Sequence, residues 1–398
     1  MPSGRRGPWR PPTPSSPSPT VCRSCWTLGC GPWSRRAVRS ATRRLSPRPR
    51  QLVSRSTSPA PDTLPTDASS RAPRAGGGTA RFGRRPTDLT LALVAAFVAG
   101  VLLAVQSRVN GELGSHIPAM TAAWLSFFIG LTAVALLWFT ARFRSGVARV
   151  RTAVRERQLP LWQLFGGFAG GLVVATQTYA VPLVGVATFL IALIGGQTVN
   201  ALVVDRFRFG PAAPQLITPA RVAAAVLAVI GVVVAVTPGV RDGEFLWLPA
   251  VLAFVVGMLT AVQQATNARI TTISGDSSVT AFINFTTGSV LLVLIGAWTV
   301  LPAGVPDLSG IPWWAWPGGV LGVLFIVLAA WAVMHSGVLL FALVTITSQM
   351  GTGVVLDLLA PATRDAVGVQ MLVGVALTVL AAAWAALARA RSRRRAAH

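Results

Sequence analysis

The chain is poor in charge and in the side chains that carry most enzyme chemistry. Charged residues make up 12% of its 398 residues, lysine is absent, and there are three histidines and one tyrosine. It contains no G-x-S-x-G, H-E-x-x-H or P-loop string. An intramembrane enzyme needs a nucleophile with a base or a metal cluster, and ATP use needs a P-loop. We therefore expect no catalysis, no cofactor and no ATP hydrolysis.

Cysteine is equally scarce. All three cysteines fall in the string VCRSCWTLGC, as Cys22, Cys25 and Cys30. A structural zinc site needs four ligands, and this C-x-x-C pair has neither a second pair nor a histidine nearby. We predict no metal site, and the absence of cysteine from the rest of the chain leaves its redox compartment undefined.

Apolar residues dominate the remainder. They make up 53% of the chain, and from Asp88 onward they form long runs separated by the charged residues. Because a spanning helix needs about 20 mostly apolar residues, the sequence predicts an all-α polytopic membrane protein with ten transmembrane helices. These are 88–107, 119–139, 161–181, 183–204, 220–237, 246–266, 279–300, 313–334, 337–359 and 366–388.

Residues 1–87 have a different composition, rich in Pro, Ser, Thr and Arg. Of the 35 arginines, 17 lie here, opposed only by Asp62 and Asp67. Such a segment cannot bury an apolar core and is predicted to be disordered. Two interpretations stay open: a basic arm touching anionic lipid headgroups, or an upstream region translated from a mis-assigned start codon. A secretory leader is disfavoured because the segment lacks an apolar core of about 7–15 residues.

The apolar part contains an internal duplication. The string AFVAGVLLAVQSRVN, which begins at Ala96, aligns with AFVVGMLTAVQQATN, which begins at Ala253. This offset of 157 pairs Gln106 with Gln263 and Asn110 with Asn267. An offset of 152 in the third and fourth helices pairs Gly185 with Gly337, Gln197 with Gln349 and Asp205 with Asp357. Matched polar residues at nearly constant offset indicate two repeats, which we place at 88–240 and 241–391, followed by a basic tail at 392–398.

The number of helices per repeat sets the topology. Five is odd, so the second copy must enter the membrane from the opposite side, which makes the repeat inverted. Arginines in short loops favour the cytoplasm. The loops on one side hold only Arg108, Arg241 and Arg364, whereas 14 arginines lie on the side of both termini. The sequence therefore predicts cytoplasmic N- and C-termini in a multi-pass inner-membrane protein.

The duplicated strings AGVLLAVQSRVNGELG and VGMLTAVQQATNARIT, in ten helices arranged as two inverted halves, resemble the drug/metabolite transporter superfamily. With the following SFFIG string at Ser126 they resemble its YdcZ-like branch, in a fused ten-helix form. The resemblance implies movement of a metabolite or drug across the cytoplasmic membrane, usually export, without ATP. Small multidrug exporters of this superfamily use a glutamate within the first helix for proton exchange. No acid lies between Asp88 and Glu112 here, so that mechanism does not transfer.

Polar side chains at membrane depth are the candidates for a substrate pathway, because they are costly unless they face a partner or a cavity. Gln106 and Asn110, with Gln263 and Asn267, are placed at the ends of helices one and six. They are read either as gates or as helix caps and interhelical hydrogen bonds. The deeper candidates are Trp124, Gln177, Tyr179, Gln197, Asn200, Asn284 and Gln349.

Asp205 and Asp357 are a second kind of candidate. Each follows its matched glutamine by eight residues and falls at a predicted helix C-terminus, where the macrodipole disfavours an anion. This placement suggests coupling or gating; the alternative is an acid held in interfacial water.

The sequence thus predicts a secondary transporter whose partners are a small solute and the lipid bilayer, and the family resemblance implies that it is an exporter. No nucleic-acid partner is expected, and a homodimer stays open. The alternative function is a channel or a lipid-binding scaffold without carrier activity. Substrate identity, direction and ion coupling are not defined by the residues.

Overall fold

The computed structural model of the chain describes residues 86–207, 217–241, 247–364 and 367–396. Residues 1–85 of the segment predicted to be disordered, which include its three cysteines, lie outside the described residues. Ten α-helices follow in order: α1 (Pro86–His116), α2 (Ala119–Ala135), α3 (Ala141–Arg155), α4 (Gly167–Phe207), α5 (Pro219–Arg241), α6 (Trp247–Ser274), α7 (Ser277–Ala303), α8 (Gly318–Ser336), α9 (Val338–Leu359) and α10 (Val369–Ala396).

Nine helical stretches in the described residues are long and apolar enough to cross a membrane, against ten predicted. The difference lies at Leu161–Val204, where the third and fourth predicted helices form one continuous stretch. Inside it, Gly185 has φ 78° and ψ 170° and breaks the helix. We call residues 167–184 the first arm of α4 and residues 186–207 its second arm. The boundary predicted near residue 182 is therefore a single-residue break at Gly185. When the two arms of α4 are counted separately, the nine stretches give ten crossings.

The same break separates α8 from α9. Gly337 has φ 81° and ψ 158°, close to the values at Gly185. Positive φ in this region is strained for residues with a Cβ, so glycine is required at both positions. The two glycines were matched at offset 152, and their shared backbone conformation shows that the repeat extends to the local geometry.

The largest differences from the prediction lie at the C-termini of α1, α6 and α10 and in α3. α1 and α6 continue to His116 and Ser274, so Asn110 and Asn267 lie inside these helices and cap neither end. Their polar C-terminal turns fell below the apolar window. α3 is a helix where the sequence predicts a loop, because its five arginines lower its mean hydropathy. Its apolar residues nevertheless recur at helical spacing, and Phe143, Gly146, Val150 and Ala153 are buried.

Crossed contacts between the two repeats confirm the inverted duplication. A Cβ on Gly100 would overlap the carbonyl oxygen of Thr345, and one on Gly257 would overlap that of Leu193, its matched position. Gly130 contacts Phe285, and Gly288 contacts Phe127. The rings of Phe127 and Phe285 meet with centroids 4.9 Å apart, as expected for matched residues that face each other across a pseudo-twofold axis.

The repeats nevertheless differ in packing. α1 packs against α4 within the first repeat, whereas α6 makes no comparable contact with α8 or α9 within the described part of the second. Each stretch has a most apolar window of 18 residues. In the α4 stretch 83% of that window is buried, whereas in α8 and in α9 only 28% is buried. Among these nine stretches, that of α4 is the most buried, and those of α8 and α9 are the least buried.

Candidate functional site

We name the two ends of the bundle by what lies there. The α3 end holds α3 and the turn between α6 and α7, because Arg149 of α3 donates to the carbonyl oxygen of Ser274 with Nε at 2.9 Å. The far end holds the last turns of α1 and the Gly185 break. There α1 and the first arm of α4 touch, since a Cβ on Gly114 would overlap the backbone carbonyl of Thr178.

A chain of side-chain hydrogen bonds joins three helices near the far end. Ser126 Oγ donates to Asn110 Oδ1 at 2.8 Å, and Asn110 Nδ2 donates to Gln177 Oε1 at 2.7 Å. Gln177 Nε2 in turn donates to Ser107 Oγ at 3.0 Å, and that hydroxyl donates to a backbone carbonyl of its own helix. All four side chains are buried. We call this set the far-end network; it ties α1, α2 and α4 together.

The matched positions at the α3 end form only part of this arrangement. Asn284 Nδ2 donates to Asn267 Oδ1 at 3.0 Å, which reproduces the Ser126 to Asn110 bond. Ala329 stands where Gln177 stands in the first repeat, and Gln264, at the position of Ser107, is exposed. Asn284 Oδ1 has no hydrogen-bond partner among the described residues. The bond that joins α1 to α4 therefore has no counterpart between α6 and α8.

A cavity of about 630 Å³ opens at the α3 end where that contact is missing. It lies between the α6–α7 turn, α8 and the junction of α2 with α3. Thr271, the residue matched to Gly114, lines this cavity together with Ala330, the residue matched to Thr178. The other lining residues are Leu137, Thr140, Arg142, Phe143, Thr272, Gly275, Asp276, Ser277, Ser278, Val327, Trp331 and Met334. The contact that closes the far end is thus replaced by a cavity at the α3 end.

The charged groups of this cavity are paired with each other. Asp276 Oδ2 lies 3.3 Å from Arg142 Nε, and Asp276 Oδ1 accepts from the backbone N–H of Ser278 at 2.9 Å, which caps α7. An anion at a helix N-terminus is stabilised by the macrodipole. The rest of the wall consists of apolar side chains and hydroxyls, so the cavity offers no unpaired charge from the described residues.

The glutamines of the first-helix motif lie between the two ends. Gln106 Nε2 lies beside Gly322 of α8, and Gln263 Nε2 lies beside Gly170 of α4, its matched position. Both glycines leave room for the amide. Gln106 is buried, whereas Gln263 is partly exposed. Each of these side chains contacts the other repeat. Their unequal exposure parallels the difference between the closed far end and the open α3 end.

The other candidates occupy separate places. Trp124 Nε1 donates to the carbonyl oxygen of Leu292 at 2.8 Å and joins α2 to α7, and Asn200 Nδ2 donates to that of Met258 at 2.6 Å and joins α4 to α6. Tyr179 is 39% exposed and is not part of the buried network. Gln197 is partly buried, and its match Gln349 is buried with no partner for Nε2 in the described residues.

Asp357 makes a contact that the sequence did not reveal. Its Oδ1 accepts from the backbone N–H of Val186 at 2.8 Å, and its Oδ2 accepts from that of Ala187 at 2.7 Å. Thr363 Oγ1 also donates to Oδ1, at 3.3 Å. The carboxylate is 1% exposed, so the interpretation as an acid held in interfacial water is wrong for Asp357. The side chain of Asp205 lies outside the described part.

This carboxylate caps the second arm of α4 directly after the Gly185 break. Although Asp357 lies near the C-terminus of its own helix, it faces the N-terminus of another, where a negative charge is stabilised. The two backbone N–H groups that the break leaves without helical partners are thereby satisfied. Asp357 belongs to the second repeat and α4 to the first, so the bond joins the repeats at the far end.

The closed far end predicts an unequal response to matched substitutions. Asn110→Ala leaves the amide oxygen of Gln177 buried without its donor, a loss of about 1–3 kcal/mol in the free energy of unfolding. Asn267→Ala removes one bond at a more exposed position, and we expect a loss of about 1 kcal/mol or less. Thermal unfolding in detergent measures both. Equal losses would contradict the difference in packing between the two ends.

The fold and these sites define a class of protein. Ten apolar crossings in two inverted copies, with buried polar side chains where the copies meet and a cavity at one end, are the architecture of a membrane transport protein.

The family model described as "Putative inner membrane exporter, YdcZ" matches this chain twice, at residues 91–234 and 248–384. The two matches cover more than half of the chain and fall one on each repeat. The chain belongs to this family, and it is a multi-pass protein of the inner membrane. No curated protein matches the chain. A solved structure described as "Crystal structure of protein" is similar to it, with 20% identity, a TM-score of 0.46, and coverage of 77% of this chain and 98% of that one.

Proposed function

We propose that the protein is a secondary transporter that exports a small neutral or amphipathic solute across the cytoplasmic membrane by alternating access. In this proposal the α3 end is cytoplasmic, because the arginines of the connecting segments concentrate there. The structure then corresponds to a state open to the cytoplasm and closed to the outside. Both termini are cytoplasmic in this orientation.

One observation carries the proposal: two matched contacts exist in opposite states. Gly114 touches Thr178 at the far end, whereas the matched residues Thr271 and Ala330 both line a cavity at the α3 end. An inverted repeat makes the exchange of these two states geometrically equivalent. If α6 closed on α8 as α1 closes on α4, and the first repeat opened in return, the cavity would face the other side.

The cavity wall supports the proposed class of solute. Trp331, Val327 and Met334 provide apolar surface, while Thr271 and Thr272 provide hydroxyls. Asp276, the only acid among the described residues of the wall, is already paired with Arg142 and with the N-terminus of α7. A charged solute would have to displace one of these partners, so a neutral or amphipathic solute with a few hydrogen-bonding groups is favoured.

The same geometry disfavours a channel. A channel needs a continuous open path, and here the buried far-end network and the capped Gly185 break close one end. Gln349 and Asn284, each with a buried polar atom that lacks a partner among the described residues, remain proposed pathway residues. Asp205 is proposed for gating on the basis of its sequence match alone.

Comparison of exported metabolites identifies the solute and tests the function. Cells that overproduce the protein should accumulate a specific small molecule outside, and cells that lack it should retain that molecule. Purified protein in liposomes should then show counterflow of the molecule, in which unlabelled solute inside drives uptake of labelled solute against its gradient. A channel gives no counterflow. Labelled solute that only equilibrates across the membrane would therefore contradict the carrier proposal.

A further inference from the structure

α3 presents a basic surface at one end of the bundle. The helix begins at Thr140, whose hydroxyl accepts from the backbone N–H of Phe143 at 3.4 Å, and its apolar face is buried against the protein. Its 15 residues include no acid. The exposed face carries five arginines, namely Arg142, Arg144, Arg149, Arg151 and Arg155.

Not all of these arginines are occupied by the protein. Arg142 pairs with Asp276, and Arg149 donates to Ser274 of the α6–α7 turn. With the described residues Arg144 makes only two long bonds, of 3.3 Å each, to backbone carbonyls. Arg151 and Arg155 are exposed and have no ion pair with any described residue. Three guanidinium groups on one face are therefore available to an anion.

Exposed apolar side chains lie at both ends of α3. Before it, the short 3-10 helix Leu136–Phe139 exposes Trp138 and 81% of Phe139. After it, the 3-10 helix Leu161–Gly166 exposes Leu161, Trp162 and Phe165. Tryptophan and its apolar neighbours at the ends of spanning helices mark the bilayer interface. Because α3 lies between the two groups in the chain, we expect its arginines at the level of the lipid headgroups.

We propose that α3 binds anionic phospholipid headgroups, with Arg144, Arg151 and Arg155 as the residues that contact the phosphate oxygens. The planar guanidinium forms paired hydrogen bonds with phosphate oxygens. The flanking aromatic groups select a lipid surface as the source of phosphate, because they would be exposed to water beside a soluble ligand. The exposed arginines thus have a membrane partner, and this role does not depend on the transported solute.

The bound headgroups would also support the rim of the cavity. α3 is joined to the α6–α7 turn by Arg149 and Arg142, and a further bond runs from Arg269 of α6 to the carbonyl oxygen of Gln158, three residues after α3, at 2.7 Å. Since Thr140, Arg142 and Phe143 line the cavity, a lipid that holds α3 in place also holds one wall of the opening.

Native mass spectrometry of the full-length protein with phosphatidylglycerol or phosphatidylcholine tests this proposal. The parent should bind phosphatidylglycerol in preference. In the triple variant Arg144→Gln, Arg151→Gln and Arg155→Gln, the affinity for phosphatidylglycerol should fall by up to roughly fivefold per arginine removed. A triple variant with lysine at the same positions should keep most of the preference, because the charge remains.

A matched control separates α3 from basic charge in general. Arg391→Gln, Arg393→Gln and Arg395→Gln remove three arginines from the end of α10, and this variant should keep the preference. The proposal is overturned if the α3 glutamine variant binds phosphatidylglycerol as the parent does, or if the α10 variant loses as much affinity. It is also overturned if inorganic phosphate at equal concentration displaces the lipid, since the site would then bind free phosphate. An unchanged elution profile in gel filtration shows that each variant is folded.

Discussion

Asp357→Ala is expected to destabilise the protein more than any other single substitution of an acid in the described residues. The buried carboxylate accepts from the backbone N–H groups of Val186 and Ala187. Alanine would leave both groups without an acceptor at the N-terminus of the second arm of α4. Each unsatisfied buried group costs about 1–3 kcal/mol, so we expect a loss of about 3–5 kcal/mol, comparable to breaking a buried ion pair.

Two further substitutions sharpen this prediction. Asp357→Asn keeps one acceptor oxygen and should retain part of the stability, whereas Glu112→Ala serves as the matched control. Glu112 also lies near the far end, but it pairs with Arg108 at a partly exposed site, and such pairs contribute about 0–1 kcal/mol. The yield of monodisperse protein and the midpoint of thermal unfolding measure all three variants. If Asp357→Ala behaved like Glu112→Ala, the carboxylate would not hold the Gly185 break.

Gly114→Val is expected to abolish most transport while leaving the protein folded. Any Cβ at this position overlaps the backbone carbonyl of Thr178, so α1 and the first arm of α4 must separate at the far end. Overpacking of this kind costs about 1–3 kcal/mol. In a two-state equilibrium that energy shifts the populations by roughly 5–150-fold, away from the state that is closed at the far end.

The control for this substitution is supplied by the repeat itself. Thr271 is matched to Gly114, already carries a β-branched side chain and lines the open cavity, so Thr271→Ser, which adds no bulk and keeps the hydroxyl of the cavity wall, should change the transport rate little. Counterflow in liposomes measures both variants, and Gly114→Ala gives a smaller version of the same overlap. Normal transport by Gly114→Val would show that the contact between α1 and α4 does not have to form in the cycle.

Much of this architecture could be read from the residues. The matched glutamines, asparagines and glycines predicted the duplication, because a polar residue inside an apolar run is rarely matched by chance. Odd helix number then required the inversion. Gly185 and Gly337 were matched in sequence, but their role in breaking the helices became visible only through their backbone angles. The missing signal was positive φ, which composition does not encode.

Other features could not be predicted because they depend on packing between distant segments. Asp357 was judged by its own helix, where an anion is disfavoured, but its environment is set by the start of another helix about 170 residues earlier in the chain. The amphipathic spacing of α3 can be read from the sequence, but the five arginines lower the mean hydropathy of the segment, so a search for apolar runs does not find it. The unequal closure of the two ends has one local signal, Ala329 in place of a second Gln177, and its meaning required the contacts of the first repeat.

Labelling of single cysteines from the two sides of the membrane tests the central proposal most directly. The three cysteines at positions 22, 25 and 30 are first replaced by serine, which leaves the spanning region free of thiols. One protein then carries Thr178→Cys in the far-end contact, and the other carries Ala330→Cys in the cavity wall. Without solute, a membrane-impermeant maleimide should label Cys at position 330 from the α3 side and should not label position 178.

Addition of the transported solute should change the two sites in opposite directions. Alternating access predicts that labelling at position 178 from the far side rises as labelling at position 330 falls, since one contact must form when the other opens. Labelling that stays constant at both positions, or that rises at both together, would contradict the account.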